Sequence, residues 1–389
     1  MLFMFCRHSA ERPHTMLFAA ARRTAILEQM WYNGIQLQRK EQTMATGYVY
    51  DPIFLEHDLR GHPENQRRLR QTLGVLEQRG MLERLAHIPA VPITQDQLER
   101  VHDRRYIEQV RRVAERGGGH LDMDTYVRPA SYDAALMAAG GLVEATRAIL
   151  DDELDNAFAL VRPPGHHALR ARGMGFCLFN NVAAAARYAL AEHGLNRVLI
   201  VDFDVHHGNG TQDEFETDPE VMYISTHQYP HYPGTGYWNE TGSGAGNGSI
   251  INVPLGGGVG DEGFARIFEE IVGPAAWRFQ PELILVSAGY DAHWDDPLAY
   301  MQLSIGGYTA IAQALKDLSE ELCGGRVVFT LEGGYHLEAL AYSVLNTFGV
   351  LVDGTGWRLV DPLGPSPSRE QPVDEIVERV RKVHGLSRG

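Results

Sequence analysis

The chain has 389 residues, 44% hydrophobic and 22% charged, a composition that supports a large buried core. Its 35 Lys and Arg against 50 Asp and Glu leave a net charge of -15, which argues against direct nucleic-acid binding because phosphate contacts need clustered basic residues. Three scattered cysteines, Cys6, Cys177 and Cys323, argue against a disulfide scaffold, and no apolar run approaches a membrane span, so a soluble, cytoplasmic protein is expected.

Residues 1–43 mix apolar stretches with scattered Arg. Glu11, Glu28 and Glu41 weaken a transit-peptide reading, since such segments are poor in acids. The simpler expectation is that Met44 is the natural start and the segment before it an extension outside the fold. From Thr46 onward the pattern predicts helices over 63–80, 94–115 and 131–150, then a strand at 157–161. A helix over 181–193 and strands at 198–201 and 221–225 follow. A long glycine-rich loop, 233–248, separates these from a helix over 263–277 and a strand at 283–287. A helix over 307–322 and a strand at 327–331 end the series, and beyond 353 come a Pro- and Ser-rich linker and a short charged helix. The strands are short, almost continuously apolar and rich in β-branched residues, as parallel strands covered on both faces are. The expectation is one doubly wound α/β domain, residues 44–353, followed by a linker and helix over 354–389.

Polar groups sit directly after these strands. AFALV runs into Arg162, Pro-Pro-Gly, His166 and His167; VLIV into Asp202, Asp204, His206, His207 and Asn209; LILVS into Tyr290 and Asp291; VVFTL into Glu332, Gly-Gly and Tyr335. Ligands of open parallel sheets bind beyond the carboxyl ends of the strands, so four strands aim His, Asp and Tyr at one place. Asp204 and His206, two apart on an extended segment, face the same side, and Asp291 arrives from another strand. Three N/O ligands leave a fourth position open, which is how a catalytic zinc differs from a structural one. A tandem His pair suits proton transfer, and Tyr335 suits a developing oxyanion. Together they describe metal-assisted amide hydrolysis. Singly, each feature has a structural explanation: a His-His dipeptide is usually incidental, an Asp at a strand end a cap, Cys177 an inert buried thiol. Convergence at four strand ends is what coincidence does not explain.

The motifs RPPGHHA, GFCLFNNVA, VLIVDFDVHHGNGTQDEF, ELILVSAGYDAHWDDPL and LEGGYHL, with HPENQRRL upstream, resemble the class II pattern of the histone deacetylase superfamily from about Thr46 to Val352. The resemblance implies an eight-stranded, mostly parallel sheet flanked by helices, with the site at the bottom of a narrow tube. It implies zinc on Asp204, His206 and Asp291, with His166 oriented by Asp202 and His167, the proton shuttle, by Asn209. Tyr335 matches the transition-state tyrosine. Gly175 and Phe176 match one tube wall and Tyr232 the opposite wall, and Gly334 is counted with them among the substrate-binding positions. Asp124 falls near a rim acid and Arg68, rather than Arg67, near an acetate channel. A structural potassium would take Asp202, Asp204, His206, Ser225 and Thr226; a second cation site matches at Phe215 and Val221 but departs at Asp218 and Ser249.

Leu298 stands where polyamine-specific relatives carry a gatekeeping Glu. It favours an acetylated lysine peptide or protein as substrate, with an acetylated polyamine or other small amine as the alternative. Bacterial polyamine enzymes of the family place their acid on a dimer-forming loop, which leaves a homo-oligomer open. Two other classes compete: a binding module without turnover, which predicts loss of a ligand or of Tyr335, and a two-metal hydrolase, which needs more bridging carboxylates.

Overall fold

The computed structural model describes residues 45–386, so the expectation for residues 1–43 lies outside the described residues. Eight strands form one sheet: β1 (Thr46–Val49), β2 (Ala86–Ile88), β3 (Asn156–Ala159), β4 (Val198–Asp202), β5 (Val221–Gln228), β6 (Ile250–Leu255), β7 (Leu283–Ala288) and β8 (Val327–Leu331). Their order is β2-β1-β3-β8-β7-β4-β5-β6, and every pairing is parallel. The α/β sheet architecture expected from the sequence is therefore present.

Every residue of β3, β4, β7 and β8 is buried, which requires helices on both faces. The principal helices are α1 (Arg67–Gln78), α2 (Ser131–Leu150), α3 (Asn181–His193), α4 (Asn209–Phe215), α5 (Ile305–Cys323), α6 (Leu337–Asp353) and α7 (Asp374–His384). They pack in two groups, α2 with α3 and α1 with α6 and α5, and both groups touch the central strands. Between sheet and helix, Phe158 of β3 meets Phe329 of β8 at 5.7 Å and Phe348 of α6 at 5.3 Å, ring centre to ring centre. Burial of each such ring contributes about 2 kcal/mol.

Local chemistry sets the helix limits. Asn180 caps α3 by accepting from Ala183 N at 3.0 Å, Ser304 caps α5 by accepting from Gly307 N at 3.1 Å, and left-handed Gly194 and Gly324 end the same two helices. The structure departs from the sequence expectation at four places. The stretch 94–115 is two helices, Gln95–Glu99 and Arg104–Glu115, because buried His102 breaks the run by bonding Leu169 O at 3.0 Å and Asn180 N at 2.8 Å. The expected 263–277 helix starts earlier, at Asp261, and carries a π turn at Phe268–Val272, beside Pro274, which lacks the N–H an α turn needs. The apolar helix α6 was not anticipated. Neither were β1, β2 and β6: β1 and β2 are only four and three residues long, and β6 carries Pro254, tolerated on an edge strand. Residues after 353 run back along the molecule, where Glu370 accepts from the N–H groups of Gly260, Glu262 and Gly263 and α7 packs on β6. No helix among the described residues is long and apolar enough to cross a membrane.

Candidate active site

The strands β3, β8, β7 and β4 are neighbours, and the polar residues that follow them meet beyond their carboxyl ends. Two of the connections are held from below by buried acids. Glu332 Oε2 accepts from Gly165 N at 2.7 Å and His166 N at 3.2 Å, while its Oε1 accepts from Ser287 Oγ at 3.1 Å. Glu64 pairs with Arg162, Nη2 to Oε2 at 2.6 Å, and with Arg68 at 3.1 Å. Arg68 in turn donates from Nε to Gly334 O at 2.7 Å and lies over the Tyr335 ring at 5.0 Å.

Asp204, His206 and Asp291 bring one ligand atom each within 4.8 Å of one another. His206 Nδ1 is 3.0 Å from Asp204 Oδ1 and 3.3 Å from Asp291 Oδ2. The other oxygen of each carboxylate is held by the main chain, Asp204 Oδ2 by Gly333 N at 2.8 Å and Asp291 Oδ1 by Val205 N at 3.0 Å. Asp291 Oδ2 is buried with no hydrogen-bond partner, a costly arrangement unless a cation occupies the centre. Burial alone would lower the His206 imidazole, but its hydrogen bond to Asp204 and the charges of Asp291 and Asp204 lift it to about 10. Two carboxylate oxygens and an imidazole nitrogen are a zinc-type donor set, and these residues fit that ion. Gly333 has to be glycine here: a Cβ would lie 2.1 Å from Asp291 Oδ2 and 2.6 Å from Asp204 Oδ2.

The tandem histidines differ. His166 Nδ1 donates to Asp202 Oδ2 at 3.0 Å, an oxygen that also accepts from Tyr223 OH at 2.9 Å. Burial opposes charging of His166, yet Asp202 and Asp204 outweigh it and lift the ring to about 10. His167 Nδ1 donates to Asn209 Oδ1 at 2.8 Å, which leaves Nε2 bare. Burial, then the charges of His166 and His206, push His167 well below 6.5. The two rings, 4.0 Å apart, are thus pushed in opposite directions, His166 towards the charged form and His167 towards the neutral one. The Tyr335 phenol is pushed well above 10 by burial against the lowering effect of Arg68, so it keeps its proton and can donate it in a hydrogen bond.

A cavity of about 200 Å³ opens over this floor, lined by His166, His167, His206 and Tyr335 and by the expected wall residues Gly175, Phe176, Tyr232, Leu298 and Asp124. Phe176 stands edge-on to Tyr335 at 6.0 Å, and Tyr232 perpendicular to His167 at 5.2 Å. A Cβ on Gly175 would meet the His167 ring at 2.3 Å, and the Gly175 carbonyl already accepts weakly from the Cys177 thiol at 3.4 Å. Cys177 is fully buried and its thiol is raised well above 9, first by burial. Of the cation ligands expected outside the cavity, Ser225 Oγ is 2.9 Å from His227 Nδ1 and Thr226 Oγ1 is buried without a partner. Sequence reasoning missed several contributors. Glu332, in LEGGY, stands at a strand end with no role assigned to it from sequence, and Glu64, in HPENQ, lies in a motif that gives no sign of its bonds to Arg162 and Arg68. His231, beside Tyr232, lines the cavity 5.2 Å from His206. Asp296, in DDPL, accepts from Tyr335 N at 2.7 Å.

Comparison with known proteins follows the same residues. The histone deacetylase domain model matches residues 62–351, which include every candidate from Arg68 to Tyr335. Histone deacetylase 10, chloroplastic, of Oryza sativa subsp. japonica is 40% identical over 351 residues, 85% of this chain and 79% of that protein. Histone deacetylase 14, chloroplastic, of Arabidopsis thaliana is 40% identical over 353 residues, 85% of this chain and 83% of that protein. The crystal structure of the HDA15 HD domain has a TM-score of 0.80 at 38% identity, covering 88% of this chain and 94% of that one. Both plant relatives are chloroplastic by name, which overturns the cytoplasmic location expected from composition. The chain belongs to the histone deacetylase family and is a hydrolase acting on acetylated amines.

Proposed function

We propose that the domain spanning residues 44–353 removes acetyl groups from the ε-amine of lysine in peptides or proteins. The observation that carries this choice is Leu298: it lines the cavity with no charge of its own, so a cationic polyamine would find no partner there, whereas the neutral stem of acetyl-lysine would. The stem would lie between Phe176 and Tyr232, with Asp124 at the rim to accept from the peptide main chain and the Gly175 carbonyl to accept the substrate amide N–H.

Zinc held by Asp204, His206 and Asp291 would supply Lewis acidity to the substrate carbonyl and acidify water. His167 takes the proton of the attacking water at Nε2, and Asn209 at Nδ1 keeps that nitrogen free. The same Nε2–H then passes its proton to the departing amine. His166, held charged by Asp202, stabilises the negative charge that grows beside it. Tyr335 donates its hydroxyl to the carbonyl oxygen as it becomes an oxyanion, with Gly334 beside it, and Arg68 stands behind Tyr335 on the path proposed for acetate. A potassium ion held by Asp202, Asp204, His206, Ser225 and Thr226, partly through main-chain carbonyls, belongs to the same proposal.

The test is a panel of acetyl-lysine peptides and acetylated polyamines with zinc-loaded protein. Leu298→Glu is expected to move the ratio of kcat/KM towards the polyamines by about tenfold, one charge partner gained. A wild-type preference for acetylpolyamines, or an unchanged ratio in the variant, sinks the lysine reading.

A further inference from the structure

Tyr335 follows two glycines, and Gly334 has a φ of +115°, a conformation that glycine adopts readily, so the chain ahead of the phenol has little stiffness of its own. Its direction has to come from elsewhere. The segment is pinned at Gly333 N by Asp204 and at Gly334 O by Arg68, and then twice by one further carboxylate. Asp296 Oδ2 accepts from Tyr335 N at 2.7 Å and from His336 N at 2.9 Å, while Oδ1 accepts from Leu298 N at 3.0 Å. Asp296 is 6% exposed, and all three of these donors are main-chain groups.

We propose that Asp296 is a positioning residue for the reaction, a buried carboxylate that sets the direction of Tyr335 and, with its second oxygen, the place of Leu298 on the cavity wall. The inference rests on the role given to Tyr335 above. A simple helix cap does not account for it. The helix α6 begins at Leu337 and already has a cap in His336, whose side chain accepts from Ala339 N at 3.1 Å. Asp296 instead bonds the two residues ahead of that helix, one of them the tyrosine, and reaches back to the connection that carries Asp291 and Leu298. It joins the loops after β7 and β8 at the point where both face the cavity.

The two oxygens predict different variants. Asp296→Ala leaves the Tyr335 and His336 N–H groups without their acceptor, so kcat is expected to fall by about tenfold to a hundredfold, as misplacement of a reacting group by a fraction of an ångström does. KM on an acetyl-lysine peptide should stay within about threefold and the zinc content per chain should not change. Asp296→Asn can turn its carbonyl oxygen towards Tyr335 and His336 and give up Leu298, so it should restore kcat to within about threefold of wild type. In a Tyr335→Phe background Asp296→Ala should cost less than about threefold, because the two residues act as a unit. Should Asp296→Ala not fold, Asp296→Glu, which keeps the charge but moves the acceptor by a methylene, runs the same cycle with the same expected loss of effect.

An equal cost in both backgrounds, with a normal Tyr335→Phe effect, overturns the positioning role alone. So does Asp296→Asn as slow as Asp296→Ala in folded, zinc-loaded protein. A Tyr335→Phe variant with unchanged kcat removes the role of Tyr335, and this inference with it.

Discussion

His166 and His167 are adjacent in the chain and are pushed towards opposite protonation states. A carboxylate faces the first and an amide faces the second, which favours charge on one ring and leaves the other a base with a bare Nε2. His167→Ala is therefore expected to lower kcat more than His166→Ala, since only the first removes the proton carrier. Equal, small losses on an acetyl-lysine peptide would contradict the assignment. In the proposed mechanism the Tyr335 hydroxyl is a donor to the oxyanion and no ligand of the metal. Its replacement by Phe should leave zinc bound, by metal analysis, while turnover drops by about a hundredfold or more.

At the scale of elements, the site exists because four neighbouring strands each lead into a loop that carries its functional residues beyond the strand's carboxyl end. The loops after them approach so closely that side-chain volume decides metal binding. Gly333 gives its N–H to Asp204 and has no room for a Cβ beside Asp291. Gly333→Ala should displace both carboxylates and weaken zinc binding by at least about tenfold in competition with a chelator. Retention of wild-type affinity would show that the loop has slack. The same closeness explains why motif reading found the ligands and missed their supports. Glu332 and Asp296 bond main-chain groups far away in sequence, and no spacing announces such a bond.

Across the whole molecule, buried neutral histidines make stability depend on acid. His102 donates from one ring nitrogen to Leu169 O and accepts at the other from Asn180 N, so only the neutral ring satisfies both bonds, and burial lowers it to about 4. The folded pKa lies below the unfolded one, so the unfolded chain takes a proton that the folded chain refuses. The contribution of His102 is complete above about pH 6.5 and is lost as pH falls towards 4. Glu332 and Asp296, both raised to about 7 chiefly by burial, pull the other way in part of that window. A comparison of variants isolates the histidine. His102→Gln should flatten the plot of unfolding free energy against pH between 4 and 6.5 by up to about 1.4 kcal/mol per pH unit, the effect of one proton. Parallel plots for variant and wild type would refute it.

The sequence by itself determined which segments are strand or helix wherever the apolar period was long enough to read. The helices at 131–150 and 181–193 and the strand at 327–331 stand at the residues their patterns predict. It also determined which residues end up beyond the strand ends, because a residue that directly follows a buried parallel strand has nowhere else to go. The tertiary structure alone decided the rest. Thr-Gly-Tyr-Val of β1 and Ala-His-Ile of β2 lack the continuous apolar run that marks the equally short β3, so these two strands exist only through their neighbours. His102 breaks a helix because of partners nearly seventy and eighty residues away. The protonation of the histidine pair, the orphaned oxygen of Asp291 and the grip of Asp296 on Tyr335 all depend on burial and on contacts between distant loops, quantities that a local pattern does not contain.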